Sequence, residues 1–133
     1  KPVPYNPENL KNGNKSIAKV AIAGIVVNLS IAIIFGLLIR LSLATGLISQ
    51  PFIEIGSIIV LINIVLALFN MMPFAPLDGF RFLSAVLPAR FQATMRLIEQ
   101  YSLPLLLIFL LVGWKVIAPF AFTLYTLLTG IAI

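Results

Sequence analysis

Ile17 to Ile39 reads IAKVAIAGIVVNLSIAIIFGLLI, an almost wholly apolar run of 23 residues. At 1.5 Å per residue a helix of that length is about 35 Å long, enough to cross a hydrocarbon core of about 30 Å. The remaining sequence has the same character. Of the 133 residues 61% are hydrophobic and only 10% charged, and the mean hydropathy is +1.13. A soluble domain keeps roughly a quarter of its residues charged so that its surface stays hydrated. Lipid must therefore solvate part of this chain. The fold class that follows is all-α: a polytopic transmembrane helix bundle of three or four spans, with a polar N-terminal loop.

Within the first span, 17–39, Gly24, Asn28, Ala32 and Gly36 recur every fourth residue and so share one helix face. Small residues in that pattern let helices approach closely, whereas the amide of Asn28 needs a partner inside the protein. Upstream, residues 1–16 are polar and rich in Pro, Asn and Gly, which predicts a loop with a turn at Asn12-Gly13. Ser16 is then the predicted cap of the first helix. Downstream, a connection from Arg40 to Gln50 leads to a second span, 53–72, which Pro73 and Pro76 stop. Asn63, Ala67 and Asn70 share a face of that span turned away from lipid. Residues 73–88 form a loop and short helix, and 89–112 form a helix that is amphipathic at first and apolar later. Pro104 is a predicted kink, Gly113 a predicted end, and 117–133 a last apolar helix.

Lys1, Lys11, Lys15 and Lys19 precede the first span, and Arg81, Arg90 and Arg96 follow the second. By the positive-inside rule these ends face the cytoplasm, and Asp78 with them. The net charge of +5 is too dispersed on too apolar a chain for a nucleic-acid face, so Lys and Arg read as topology signals and the partner that composition implies is membrane lipid. The oligomeric state is left open. There is no Cys and no His, which excludes disulfides and any thiolate or imidazole metal site built by these residues alone. The sequence opens on Lys1 without a signal peptide pattern, and we read that start as a truncation.

Asp78 is the only aspartate, set in a turn made by Pro73, Pro76 and Gly79 between apolar spans. A carboxylate in lipid costs roughly 2.5 to 3.5 kcal/mol at a helix centre unless something compensates it. Two structural explanations are open: Asp78 caps a helix beginning at Gly79, or it pairs with Arg81 one turn on. The functional explanation is a metal ligand or a proton-handling carboxylate.

Asn70-x-x-Pro73-x-x-Pro76-Leu77-Asp78-Gly79 resembles the second signature of the site-2 protease family of intramembrane metalloproteases. Ala23-Gly24-x-x-x-Asn28 resembles that family's pattern in the preceding span. Lys1-Pro2-Val3-Pro4-x-Asn6-Pro7-x-Asn9-Leu10 resembles the loop before it. Ile25 and Phe80 depart from the usual Pro and small residue at those places. The resemblance implies a zinc-dependent endopeptidase of a prokaryotic plasma membrane that cleaves transmembrane protein or peptide substrates. It implies that Asp78 is the third protein ligand of Zn²⁺. It also implies that Asn70 donates to the substrate backbone or the oxyanion and that Asn28 contributes to substrate binding. The family's first signature, H-E-x-x-H, supplies two zinc-binding histidines and a general base. It is absent here, so the chain reads as a fragment that is inactive alone. Two rivals remain: a non-catalytic relative that binds membrane segments without cutting them, and a transporter or channel subunit, which lacks a second intramembrane carboxylate for a relay.

Overall fold

A computed structural model describes residues 7–133, with side chains from residue 13 onward. Among the described residues every regular element is helical. α1 spans Pro7–Thr45 and α2 Gln50–Asn70. α3 spans Asp78–Val86, and a 3₁₀ turn at Ala89–Phe91 leads into α4, Gln92–Gln100. α5, Ser102–Ile108, continues through a π-helical turn at Phe109–Gly113 into α6, Trp114–Thr129.

Among the described residues three helical stretches are long and apolar enough to cross a membrane: 13–45, 50–70 and 102–129. The protein is an integral membrane protein. Its outward faces carry large apolar side chains, with Leu47 85% and Leu111 81% exposed. On a soluble protein so much exposed apolar surface would be an aggregation liability; here acyl chains cover it.

Several boundaries differ from the sequence reading. α1 begins at Pro7, so Asn12, Gly13 and Ser16 are helical and Ser16 caps nothing. Proline is well placed in the first turn of a helix, where an N–H has no partner anyway, and no further proline interrupts the chain before Pro51. The predicted loop over 1–6, and with it Lys1 to Asn6, lies outside the described residues. The first connection is only residues 46–49. Gly46, at φ +66°, takes the left-handed turn that ends α1. α2 starts at Gln50 with Pro51 in its first turn.

The third span departs furthest. Gly113 does not end a helix. The π-turn carries the backbone through it, and the Phe109 ring lies where a side chain at 113 would stand. Residues 103–112 and 117–129 therefore belong to one crossing. Pro104 does mark a break. Its ring would collide with the carbonyl of Gln100 in a continuous helix; α4 stops at Gln100, and Pro104 falls in the first turn of α5.

The core lies where α1, α2 and α6 meet, in a cluster of Ala32, Ile39, Val60, Ile64, Ala121 and Tyr125. Small residues set the spacing. A side chain on Gly36 would come within 2.8 Å of Leu128 Cβ, and one on Gly56 within 3.2 Å of Ile39. At one end of the bundle Arg40 donates to Leu127 O at 2.8 Å, satisfying a carbonyl left open in the last turn of α6. At the other end Lys15, Lys19 and Ser16 line clefts shared with Arg81 and Ala85 of α3.

Gly36→Leu should force α6 off α1 and lower stability by about 1–3 kcal/mol, the usual penalty of overpacking. Gly13→Ala adds a Cβ with nothing within 4 Å, and it should leave the unfolding midpoint in detergent unchanged or slightly raised. Equal midpoints for Gly36→Leu and the parent would contradict the packing described.

Candidate functional site

The chain turns sharply after α2. The amides of Met71 and Met72 close the helix onto Ala67 O and Phe69 O, and Pro73 cannot extend it. Leu77 N donates to Phe74 O at 2.8 Å, and the peptide bond between Ala75 and Pro76 is cis. Leu77 is extended (φ −70°, ψ 156°) and holds the N-cap position of α3. Asp78 is therefore the first helical residue rather than the cap of a helix starting at Gly79, and its side chain makes no capping bond. Among the described residues it forms neither a hydrogen bond nor an ion pair, with Arg81 or any other cation. Neither structural explanation of Asp78 is realised. What the carboxylate does receive is the positive end of the α3 dipole, worth about 0.3–1 kcal/mol at such a place.

Two glycines make room for it. A Cβ on Gly24 would meet Asp78 Oδ2 at 3.0 Å, so the bare backbone of α1 lets the half-buried carboxylate lie against it. A Cβ on Gly79 would run into the carbonyl oxygens of Met71 and Met72, so α3 tucks under the end of α2 only with glycine there. Gly24 and Asp78, 54 residues apart in the chain, thus meet in space. An apolar cleft of about 300 Å³ opens beside them, lined by Ile22, Ile25, Met71, Gly79, Phe82 and Leu83.

The asparagines divide into two kinds. Asn63 is satisfied by its own helix, donating to Ile59 O at 2.8 Å. Asn28, one turn beyond Gly24, and Asn70, the last residue of α2, are half-buried. Among the described residues neither has a hydrogen-bond partner.

Two contributors went unnoticed in the sequence. Ser102, 5% exposed, donates to Ile98 O at 2.7 Å and accepts from Ala75 N at 3.2 Å. One hydroxyl thereby ties the proline-rich turn to the start of the third span. The Phe109 ring lies 5.5 Å from that of Phe74 and 6.0 Å from that of Phe69, bracing the same turn. No local sequence pattern marks either residue.

A zinc site needs three or four protein ligands. Among the described residues no three His, Cys, Asp or Glu side chains come together. Glu54 is engaged with Gln50 Nε2 at 3.3 Å, in the first turns of α2, and Glu99 lies on α4. Asp78, with its acceptor sites unused, fits one ligand position, and these residues alone do not fit a complete site.

Residues 38–113 match Peptidase family M50. The chain is similar to the protein named "Putative zinc metalloprotease YwhC" of Bacillus subtilis (strain 168), with 35% identity over 107 residues. The shared region covers 77% of this chain and 49% of that relative, so the chain spans about half the length of the curated relative it matches. No solved structure matches.

If Ser102 holds the turn, Ser102→Ala should speed backbone hydrogen exchange across residues 71–77 by several-fold to about tenfold, the effect of one net hydrogen bond. Ser102→Thr, which keeps the hydroxyl, should restore the slow exchange. Unchanged exchange in the alanine variant would mean that the bond does not hold the turn.

Proposed function

The chain belongs to Peptidase family M50, the site-2 protease family, and from that premise we propose that it forms part of an intramembrane zinc-dependent endopeptidase. Asp78 supplies one protein ligand of the metal. The observation that carries this reading is the Asp78 carboxylate itself: half-buried between membrane helices and without hydrogen bond or ion pair among the described residues. Such a group calls for a compensating positive charge, and a divalent cation provides one. The sequence holds no histidine, so the remaining ligands come from residues outside these 133, two imidazoles in the H-E-x-x-H pattern.

When bound, zinc would acidify a water toward a pKa of about 7 and polarise the scissile carbonyl. The chain's own residues do the rest. Gly24 and Gly79 keep Asp78 in place by leaving space no side chain could share. Ser102 and Phe109 hold the turn from which Asp78 projects. Asn70, at the end of α2 beside that turn, presents an amide donor to the substrate backbone or the developing oxyanion, and Asn28 presents a second to the substrate. The substrate is a membrane-embedded peptide segment in extended form, and the apolar cleft beside Gly79 takes its side chains.

Lys15, Lys19 and Arg81 gather at the Asp78 end of the bundle, and Arg90 and Arg96 lie in the segment that joins α3 to the third span, which supports placing that end toward the cytoplasm.

In the complete protein, Asp78→Ala should abolish cleavage of a transmembrane substrate and lower the bound zinc. Asn70→Ala should slow cleavage by about 10²-fold or more, as loss of an oxyanion donor does, with zinc retained. Full zinc and full cleavage in Asp78→Ala would rule out the ligand assignment. Loss of zinc in Asn70→Ala would make that residue a shaper of the site rather than a substrate contact.

A further inference from the structure

The third span has one residue more than a regular helix could use. Ser102 and Phe109, which touch the turn before Asp78, are seven residues apart. At about 100° per residue they fall within about 20° of each other on one helix face. Further along, Ile117, Ala121 and Tyr125 are buried, the last two within the core cluster. Ala121 comes nineteen residues after Ser102. In an unbroken α-helix it would point about 100° away from Ser102 and about 120° away from Phe109.

Both sets nevertheless face one neighbour. The Phe109 ring stands against Phe69 of α2, and Ala121 and Tyr125 share the core with Val60 and Ile64 of α2. A regular helix could not serve both. The π-turn at Phe109–Gly113 removes the mismatch. Its hydrogen bonds close a wider ring, so one turn takes one more residue than in an α-helix. That residue is worth about 100°, which brings Ala121 back to within about 20° of both Ser102 and Phe109. Gly113 completes the arrangement, because the Phe109 ring lies where a side chain at 113 would stand.

We propose that the π-turn is a positioning element for Asp78: its one extra residue, with Gly113 beside the Phe109 ring, keeps Ser102 and Phe109 turned onto the loop that leads to the carboxylate. The inference rests on the reading of Asp78 as a metal ligand, whose place in the site must be fixed. Of the two ends of the span, α6 is the firmer. It buries Ile117, Ala121, Tyr125 and Thr129, packs Leu128 against Gly36 and accepts a hydrogen bond from Arg40. The other end offers the loop one hydroxyl and one ring. Removing a residue between them would rotate Ser102 and Phe109 off the loop and leave α6 in the core.

The test is deletion of Leu111, an exposed residue of the π-turn, in the complete protein. Hydrogen exchange is followed across residues 71–77 and 117–129, and zinc affinity is measured against a competing chelator. The deletion should speed exchange across 71–77 by about tenfold, the loss of at least one net hydrogen bond. Exchange across 117–129 should stay slow. Zinc should bind about 10- to 100-fold more weakly, as when a group that orients a ligand is lost. Leu111→Ala, which keeps the residue count, should match the parent in all three. Inserting an alanine after Leu107 in the deletion protein returns Ser102 to its original face, and exchange across 71–77 should slow again. Parent-like exchange across 71–77 in the deletion protein would overturn the proposal. Fast exchange that the inserted alanine does not slow would overturn it too, by making general damage the cause. So would faster exchange with unchanged zinc affinity, which would leave the π-turn a packing device. A parent protein that binds no zinc would instead sink the protease reading, and exchange across 71–77 would still decide whether the π-turn sets the position of that loop.

Discussion

Helices in a bilayer gain nothing by expelling water from one another, so their association depends on how closely the backbones come together. In this protein that closeness is set by missing side chains. Gly36 admits Leu128, Gly56 admits Ile39, and Gly79 admits the carbonyls of Met71 and Met72. The same device that packs the bundle also seats its one aspartate: at Gly24 the space left on α1 is occupied by a carboxylate rather than a hydrocarbon. Fold and site are thus built along one stripe of α1, with Ala32 in the core between its two ends.

The third span ties the two ends together. Near its start Ser102 holds the amide of Ala75, and the Phe109 ring braces Phe74. Near its finish Leu127 accepts from Arg40 of α1. A displacement of this span would therefore be felt in the turn that bears Asp78. The π-turn at Phe109–Gly113 belongs to the same arrangement, since it lets Phe109 reach the turn while its ring covers Gly113.

Much of this was legible in the sequence because lipid imposes simple rules. Length and apolarity reveal spans, and the Asp78 turn stands out as the sole aspartate among prolines. The four-residue recurrence from Gly24 to Gly36 marked the contact face, and Ala32 and Gly36 are indeed buried. Three features were not legible. The helical start at Pro7 was hidden because polar, glycine-containing sequence suggests a loop, although nothing after Pro7 forbids a helix. Gly113 suggested an end because a π-turn leaves no local signature; Phe109, four residues back, makes the glycine necessary. Ser102 was silent because its partner lies 27 residues away, a pairing that only tertiary structure creates. The meeting of Gly24 with Asp78 is of the same kind, and Gly79 answers to a separate steric demand, the carbonyls of Met71 and Met72.

Position 78 as a metal ligand is tested most directly by changing the element that touches the metal. Zinc-edge X-ray absorption of the complete protein carrying Asp78→Cys reports which atoms surround the ion. A sulfur scatterer at about 2.3 Å, absent from the parent, is the expected result. Zinc bound at full occupancy with an unchanged shell of nitrogen and oxygen would contradict the assignment and return Asp78 to a purely structural place at the head of α3.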